Sequence, residues 1–260
     1  MILDRIIEEK GSEISDRKGR LSLPQLKRLL ESNVPPQLDF KNAISAQGVN
    51  LIAEIKKKSP LRGILRRDFK PVEIALEYAA AGAKALSVLT DEKFFGGRLG
   101  FMSLIKKETP LPILEKDFLI DEYQIYEARA LWADAVLLIA RVLSRQQLKD
   151  FAGLAAGLGM DVVCEAHSEE DLDKIMGIDA QIIGINNRNL DDFKVDLETT
   201  ARLIRRIPRG KIIVSESGIK SHDDVIYLKN LGVNAVLIGE TFIGSSDITA
   251  TVREVMGYEK

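Results

Sequence analysis

Ionisable residues recur where apolar runs of this chain break off. In "LIAEIKKKSP", which starts at Leu51, the run gives way to Glu54, three consecutive lysines, Ser59 and Pro60; in "LPILEKDF" it ends in Glu115 and Lys116, and in "DVVCEAH" in Glu165. Side chains alternate along a strand, so Ile52, Glu54 and Lys56 share one direction and Leu51, Ala53 and Ile55 the other. If the uncharged set meets a layer of helices, Glu54 and Lys56 point inward. The same parity aligns Pro112, Leu114 and Lys116 against Glu115, and Val163 and Glu165 against Cys164. Three strands thus end in inward ammonium or carboxylate groups, which suits an active face. Lys57 and Lys58 carry no such parity argument and read as solvating a loop. A second pattern lies further on. "SESGI" and "GETFI" set Gly218 and Gly239 at strand-to-helix turns, where backbone N–H groups and the positive end of a short helix can hold an anion. Either glycine taken alone is equally well explained as a turn device.

Such residues need a scaffold that brings strand ends together. From Leu51 onward eight short branched runs recur, "LIAEI", "ALSVL", "LPIL", "AVLLI", "DVVC", "IIGI", "KIIVS" and "AVLIG", with helix-like segments between them. Pro71 opens a helix through Ala80 with Gly82 near its end, and Ser144 with Gln147 makes a capping box for a helix stopped by Gly159. Ser168 with Asp171 and Ser221 with Asp224 repeat the signature, the second helix stopping near Gly232. Runs apolar enough to be buried on both faces, alternating with helices, predict an α/β fold, a closed (β/α)8 TIM barrel over residues 48–260. An open doubly wound sheet is the competing arrangement, but the Gly-rich dinucleotide turn is missing after the first run. Residues 1–47 do not fit the repeat. "LPQLKRLLES" reads as a helix and "SNVPPQLDF" as a proline-interrupted connector, so the segment is expected to be a helical extension packed on the barrel, able to cover a mouth. In barrels the carboxyl ends of the strands form the active face, and the loops after the last two strands are the recurrent phosphate cradle.

Composition narrows the ligand class. The 260 residues are 45% hydrophobic and 29% charged with a formal net charge of −2, ordinary for a globular domain and without a basic footprint for nucleic acid or a membrane surface. One cysteine, Cys164, excludes an internal disulfide and fits a reducing compartment, and with His167 and His222 as the only histidines no metal-ligand cluster is visible. "MILDRIIEEK" is too charged for a secretory leader. The expectation is a cytoplasmic protein, monomeric or weakly oligomeric, acting on a small phosphorylated molecule without cofactor or metal.

Taken in order, "IAEIKKKSP", "SVLTDEKFFGG", "KDFLIDEYQIYEAR", "ADAVLLIA", "INNRNL", "VDLETT" and "VSESGI" resemble the indole-3-glycerol-phosphate synthase family of tryptophan biosynthesis. The resemblance covers nearly the whole chain after residue 50, and the family also carries helices ahead of its barrel. It implies ring closure of 1-(2-carboxyphenylamino)-1-deoxyribulose 5-phosphate to indole-3-glycerol phosphate with loss of carbon dioxide and water. By the same resemblance Lys116 is the general acid for the substrate ketone and Glu165 a base for dehydration, while Lys56 pairs with the substrate carboxylate or assists proton transfer. Glu54, Asn186, Glu216 and Ser217 match further catalytic positions of the mouth, and Arg188 a substrate-binding one. Ser59, Gly218 and Gly239 match the region that orients the phosphate. At "GETFI", Gly239 is expected to let the chain approach the phosphate, with the amides of Glu240 and Thr241 donating to it and the Glu240 carboxylate turned away. The chain departs from the common family pattern at Leu61 and Arg62, where serine and lysine are frequent, and at Glu115, where arginine is. Other phosphosugar barrel enzymes such as isomerases, and a noncatalytic phosphate-binding barrel, share parts of this pattern.

Overall fold

The computed structural model describes residues 2–31, 34–189 and 194–259; the first two residues of the connector and Leu190 of "INNRNL" lie outside them. Three helices lead the chain: α1 (Ile2–Arg20), α2 (Leu23–Leu30) and α3 (Phe40–Ala43). Then come eight strands, β1 (Asn50–Ile55), β2 (Ala85–Leu89), β3 (Ile113–Lys116), β4 (Ala135–Ile139), β5 (Asp161–Ala166), β6 (Ile182–Asn186), β7 (Ile212–Glu216) and β8 (Ala235–Ile238). They form one closed parallel barrel, β1 pairing with both β2 and β8. A parallel sheet buried on both faces needs no polar alternation, which is why the eight runs are apolar throughout. The third strand starts two residues later than its apolar run. Pro112 has no N–H to give the ladder, so it contributes only its carbonyl, to Leu86.

The helices between the strands are α4 (Pro71–Ala80), α5 (Gly100–Glu108), α6 (Glu122–Ala130), α7 (Arg145–Gly157), α8 (Glu169–Met176), α9 (Glu198–Ile204) and α10 (His222–Leu231). After β8 follow a one-turn helix, α11 (Glu240–Ile243), and α12 (Ile248–Met256). The capping boxes form at Ser144 and Ser221, where each serine accepts from the N3 amide and the N3 side chain accepts from the serine N–H. At Ser168 only half of the box closes. Its hydroxyl accepts from Asp171 N, but the Asp171 carboxylate accepts from His167 N at 3.1 Å instead. That choice ties the end of β5 to α8.

Strand parity divides the core in two. Leu51, Ala53, Ile55 and Cys164 face the helices, whereas Ile52, Leu114, Leu137, Val163 and Leu237 fill the barrel. The leading helices meet both ends of that interior. Phe40 and Ile44 close the amino end, where the Asn50 side chain donates to Ile44 O at 3.2 Å. Leu3 and Ile6 of α1 pack at the carboxyl end near Phe94, Phe95 and Phe118. No helix among the described residues is long and apolar enough to cross a membrane.

Candidate active site

Four barrel strands aim ionisable side chains into one mouth. Lys116 ends β3, Glu165 lies near the end of β5, Glu216 ends β7, and Glu54 with Lys56 stands at the end of β1. The expected inward parity of Glu54, Lys56, Lys116 and Glu165 is what the structure has. Lys116 Nζ lies 2.8 Å from Glu165 Oε2 and 3.1 Å from Glu216 Oε2, and Lys56 is ion-paired with Glu54. Asn186, opposite Glu216 in the β6–β7 register, accepts the Arg188 amide on Oδ1 at 3.0 Å. Two glycines make room for these carboxylates. A Cβ on Gly184 would strike Glu216 Oε1, and one on Gly239 would come within 2.9 Å of Glu54 Cβ and closer still to its Oε1.

Charge and burial oppose one another here, and the outcome differs by residue. Burial works against the Lys116 ammonium, but Glu165, Glu216 and Glu54 together outweigh it and hold the group above the ordinary lysine range. Burial likewise works against the Glu165 carboxylate, yet Lys116 and His167 keep it ionised and below the usual range. Glu216 goes the other way: burial, helped by the charge on Glu165, lifts it to about 8 although Lys116 opposes the shift. Two carboxylates beside one ammonium cannot both stay charged at low cost, so the pair divides into one ionised and one protonated member. Of the two influences set against each other at Lys116, the carboxylates prevail.

Two hollows open from this cluster. The smaller, about 110 Å³, has Lys116, Glu165 and Glu216 at its polar side and Phe95, Phe118 and Leu137 among its apolar walls. The larger, about 460 Å³, lies under the loops after β7 and β8, between Ser217–Gly218 and Gly239–Thr241, with Lys56 and Arg188 at its side. Ser217 and Gly218 both have positive φ, 67° and 87°, so the chain turns sharply as it leaves β7. A left-handed serine at a site of this kind stores strain of about 1 kcal/mol or more. Its turn is braced by Asn187, whose side-chain N–H groups donate to Ser215 Oγ and to the carbonyls of Glu216 and Ser217, each at 3.0 Å.

Several expectations need correction. Glu240 does not turn away: Oε1 meets Arg188 Nη2 at 3.0 Å and Lys56 Nζ at 3.7 Å, and Oε2 meets Arg62 Nε at 3.4 Å. Three cations converge there, and the nearest carboxylate is drawn among them. Gly239 lines the larger hollow, and a side chain there would meet Glu54. Ser59 borders the smaller hollow and is not among the residues of the larger one; its Oγ accepts from Arg62 N at 3.3 Å in a short hairpin of Lys58–Ser59 with Gly63–Ile64. Lys58 does not simply solvate a loop, since its ammonium donates to Lys93 O at 2.6 Å. Thr241 Oγ1 is turned to Ile219 O at 2.7 Å, which joins the two loops of the larger hollow.

Three structural participants escaped the sequence reading: His167, Asn187 and Gly184. His167 shares parity with Val163 and Glu165, so the alternation rule alone points it inward once β5 is extended by a residue. Nothing local marks the others.

A closed parallel barrel with acid–base groups at the carboxyl ends of its strands, beside a hollow under its last two loops, defines a barrel enzyme working on a small anionic molecule. The particular family follows from comparison: the chain belongs to the indole-3-glycerol phosphate synthase family, whose model matches residues 3–255. It is 48% identical to the protein of that name from Caldanaerobacter subterraneus subsp. tengcongensis, over 99% of this chain and 100% of that one. It is 44% identical to that of Clostridium acetobutylicum, over 98% and 97%. The fold is similar to 3-hexulose-6-phosphate synthase, with a TM-score of 0.64 at 15% identity over 80% of this chain and 99% of the other. It is also similar to the tryptophan synthase alpha-subunit of Pyrococcus furiosus, with a TM-score of 0.60 at 16% identity over 80% and 98%.

Proposed function

We infer that the protein is an indole-3-glycerol-phosphate synthase that closes the indole ring of 1-(2-carboxyphenylamino)-1-deoxyribulose 5-phosphate. The observation that carries this reading is Lys116 held between Glu165 and Glu216 at the polar side of an aromatic-walled hollow. The substrate's carboxyphenyl ring suits that hollow, and its phosphate suits the larger one beside it. As the aromatic carbon attacks the ketone, Lys116 gives its proton to the developing alkoxide, which becomes a hydroxyl. Carbon dioxide then leaves with its bonding pair returning to the ring. Lys56, next to the mouth, pairs with the departing carboxylate.

Dehydration needs a base, and Glu165 in the resting state is a weak one because Lys116 and His167 stabilise its charge. Once Lys116 has lost its proton that stabilisation falls, and the affinity of the ionised Glu165 for a proton rises. Glu165 can then take the proton from the ring carbon beside nitrogen, while the protonated Glu216 carboxyl gives its own to the departing hydroxyl, which leaves as water. At the phosphate end, the free amides at the start of α11 and the Ser217–Gly218 turn supply donors, while Arg188, Arg62 and Lys56 supply charge. Metal is not required by this chemistry, and activity is expected to survive exhaustive chelation. The division into an extension, 1–47, and a barrel, 48–260, is retained as part of the proposal.

The test is direct. Purified protein given the carboxyphenylamino substrate should produce the indole fluorophore with release of carbon dioxide. Binding without turnover would make it a ligand-binding barrel instead.

A further inference from the structure

Both oxygens of Glu165 are engaged. Oε2 meets Lys116 Nζ at 2.8 Å, and Oε1 meets His167 Nε2 at 2.8 Å. The other ring nitrogen, His167 Nδ1, lies 2.9 Å from the carbonyl oxygen of Arg188. A carbonyl only accepts, so Nδ1 carries a proton, and a neutral ring would then turn the Nε2 lone pair toward Glu165 Oε1. Two lone pairs at that distance repel, so a proton must stand between ring and carboxylate. The Lys116 ammonium on the other oxygen keeps the carboxylate ionised, which leaves the proton on the ring. The other elements packed around the imidazole favour the same state. Asp171 of α8 adds attraction, the Arg188 loop presents its carbonyl, and the Arg188 guanidinium is directed to Glu240.

We propose that His167 is a positioning residue for the ring closure: its imidazolium grips Oε1 of Glu165, aims Oε2 at Lys116, and weakens the carboxylate's hold on the lysine proton. The proposal rests on the function inferred above. Its physical basis is that an acid whose proton is held too firmly transfers it slowly. Glu165, Glu216 and Glu54 all bind the Lys116 proton more firmly, and a cation on the far side of Glu165 is the counterweight. The imidazolium also brings a positive charge to a site that receives a carboxylate and a phosphate. Through the Arg188 carbonyl it links the acid–base cluster to the loop whose guanidinium borders the larger hollow.

The experiment combines kinetics with nitrogen-15 spectra of the imidazoles. Only two histidines are present, so the signal missing from His167→Gln identifies its ring. Both ring nitrogens should be protonated at about pH 7.5, a unit above the ordinary histidine value, and the ring should turn neutral in Glu165→Gln. His167→Ala should lower kcat at least about tenfold, a fraction of the 10²–10⁴ that a direct proton donor supplies, with KM changed less than about threefold. His167→Gln, which can donate to Glu165 without a charge, should fall between the two. A neutral His167 ring in the wild-type protein overturns the proposal, as does unchanged kcat in folded His167→Ala or a defect confined to KM. If the wild-type protein makes no indole product, the functional reading fails, while the spectra still decide the protonation of His167.

Discussion

Strand β3 separates two buried charge clusters that use similar residues to different ends. On its inner side Lys116 meets Glu165 and Glu216 at a mouth that opens to solvent. On the side toward α1, Lys10 meets Asp91 at 3.0 Å and Asp117 at 2.9 Å, its side chain only 1% exposed, and Arg17 meets Glu127 at 3.0 Å. Glu115 is buried in this second cluster with one oxygen unpartnered, and burial followed by Asp117 and Glu127 raises its proton affinity well above the carboxylate range. Thr90 explains how it is accommodated. Its hydroxyl lies 2.8 Å from Asp117 and 3.3 Å from Glu115, and one proton cannot serve both. A protonated Glu115 donating to Thr90, which donates to Asp117, gives each of the two contacts its own proton. The difference between the clusters is access. In the mouth, partners can be exchanged for a substrate; beside α1, each charge can only hold its neighbour, and the cluster locks the leading helix to the loops after β2 and β3.

The comparison can be broken by variants that move each cluster separately. Lys116→Ala should fold normally and lose about 10²–10⁴ in turnover; single-turnover formation of the indole product at the wild-type rate would remove Lys116 from the chemistry. Lys10→Met should do the reverse. It leaves Asp91 and Asp117 buried without their cation, a loss of about 3–5 kcal/mol readable by denaturant unfolding, with most turnover retained in the folded fraction. A Lys10 variant that keeps its stability but loses turnover would erase the distinction between the two clusters. Glu240→Gln should free Arg188, Arg62 and Lys56 and tighten binding of a phosphate-bearing analogue, by about twofold to fivefold for a pair near the surface. Weaker binding would mean that the Glu240 carboxylate positions those cations rather than competing with the phosphate.

The smallest effect is in the pH dependence of stability. Glu127 is raised from 4.5 to about 7 by burial, with Arg17 opposing, Glu216 is raised by burial to about 8, and Glu115 and His167 are raised as well. A folded state that binds more protons than the unfolded one loses stability as pH rises through the folded values. Glu165 is depressed, so its contribution is lost only on acidification and does not act in this window. The melting temperature should therefore fall between about pH 5 and pH 8, and Glu127→Gln should flatten the part of the decline below about pH 7. A melting temperature that climbs over this interval would contradict the protonated state assigned to the second cluster.

How much of this was legible in the sequence depends on whether the cause was local. The eight apolar runs, the Ser144 and Ser221 caps and the parity of Glu54, Lys56, Lys116 and Glu165 are set by neighbours a few residues away, and each was read correctly. The ordered motifs carried the family for the same reason. What tertiary structure decided were encounters between distant segments. Glu240 turns inward because Lys56, Arg62 and Arg188 arrive from two other loops, and Gly239 must be bare because Glu54 stands beside it. Glu115 was rightly directed away from Lys116, but its burial required α1 and α6 to close over it. Alternation along a strand tells which way a side chain points. What it meets there is set by barrel closure, because only closure brings groups far apart in the chain within a few ångströms, where burial and charge settle who holds the proton.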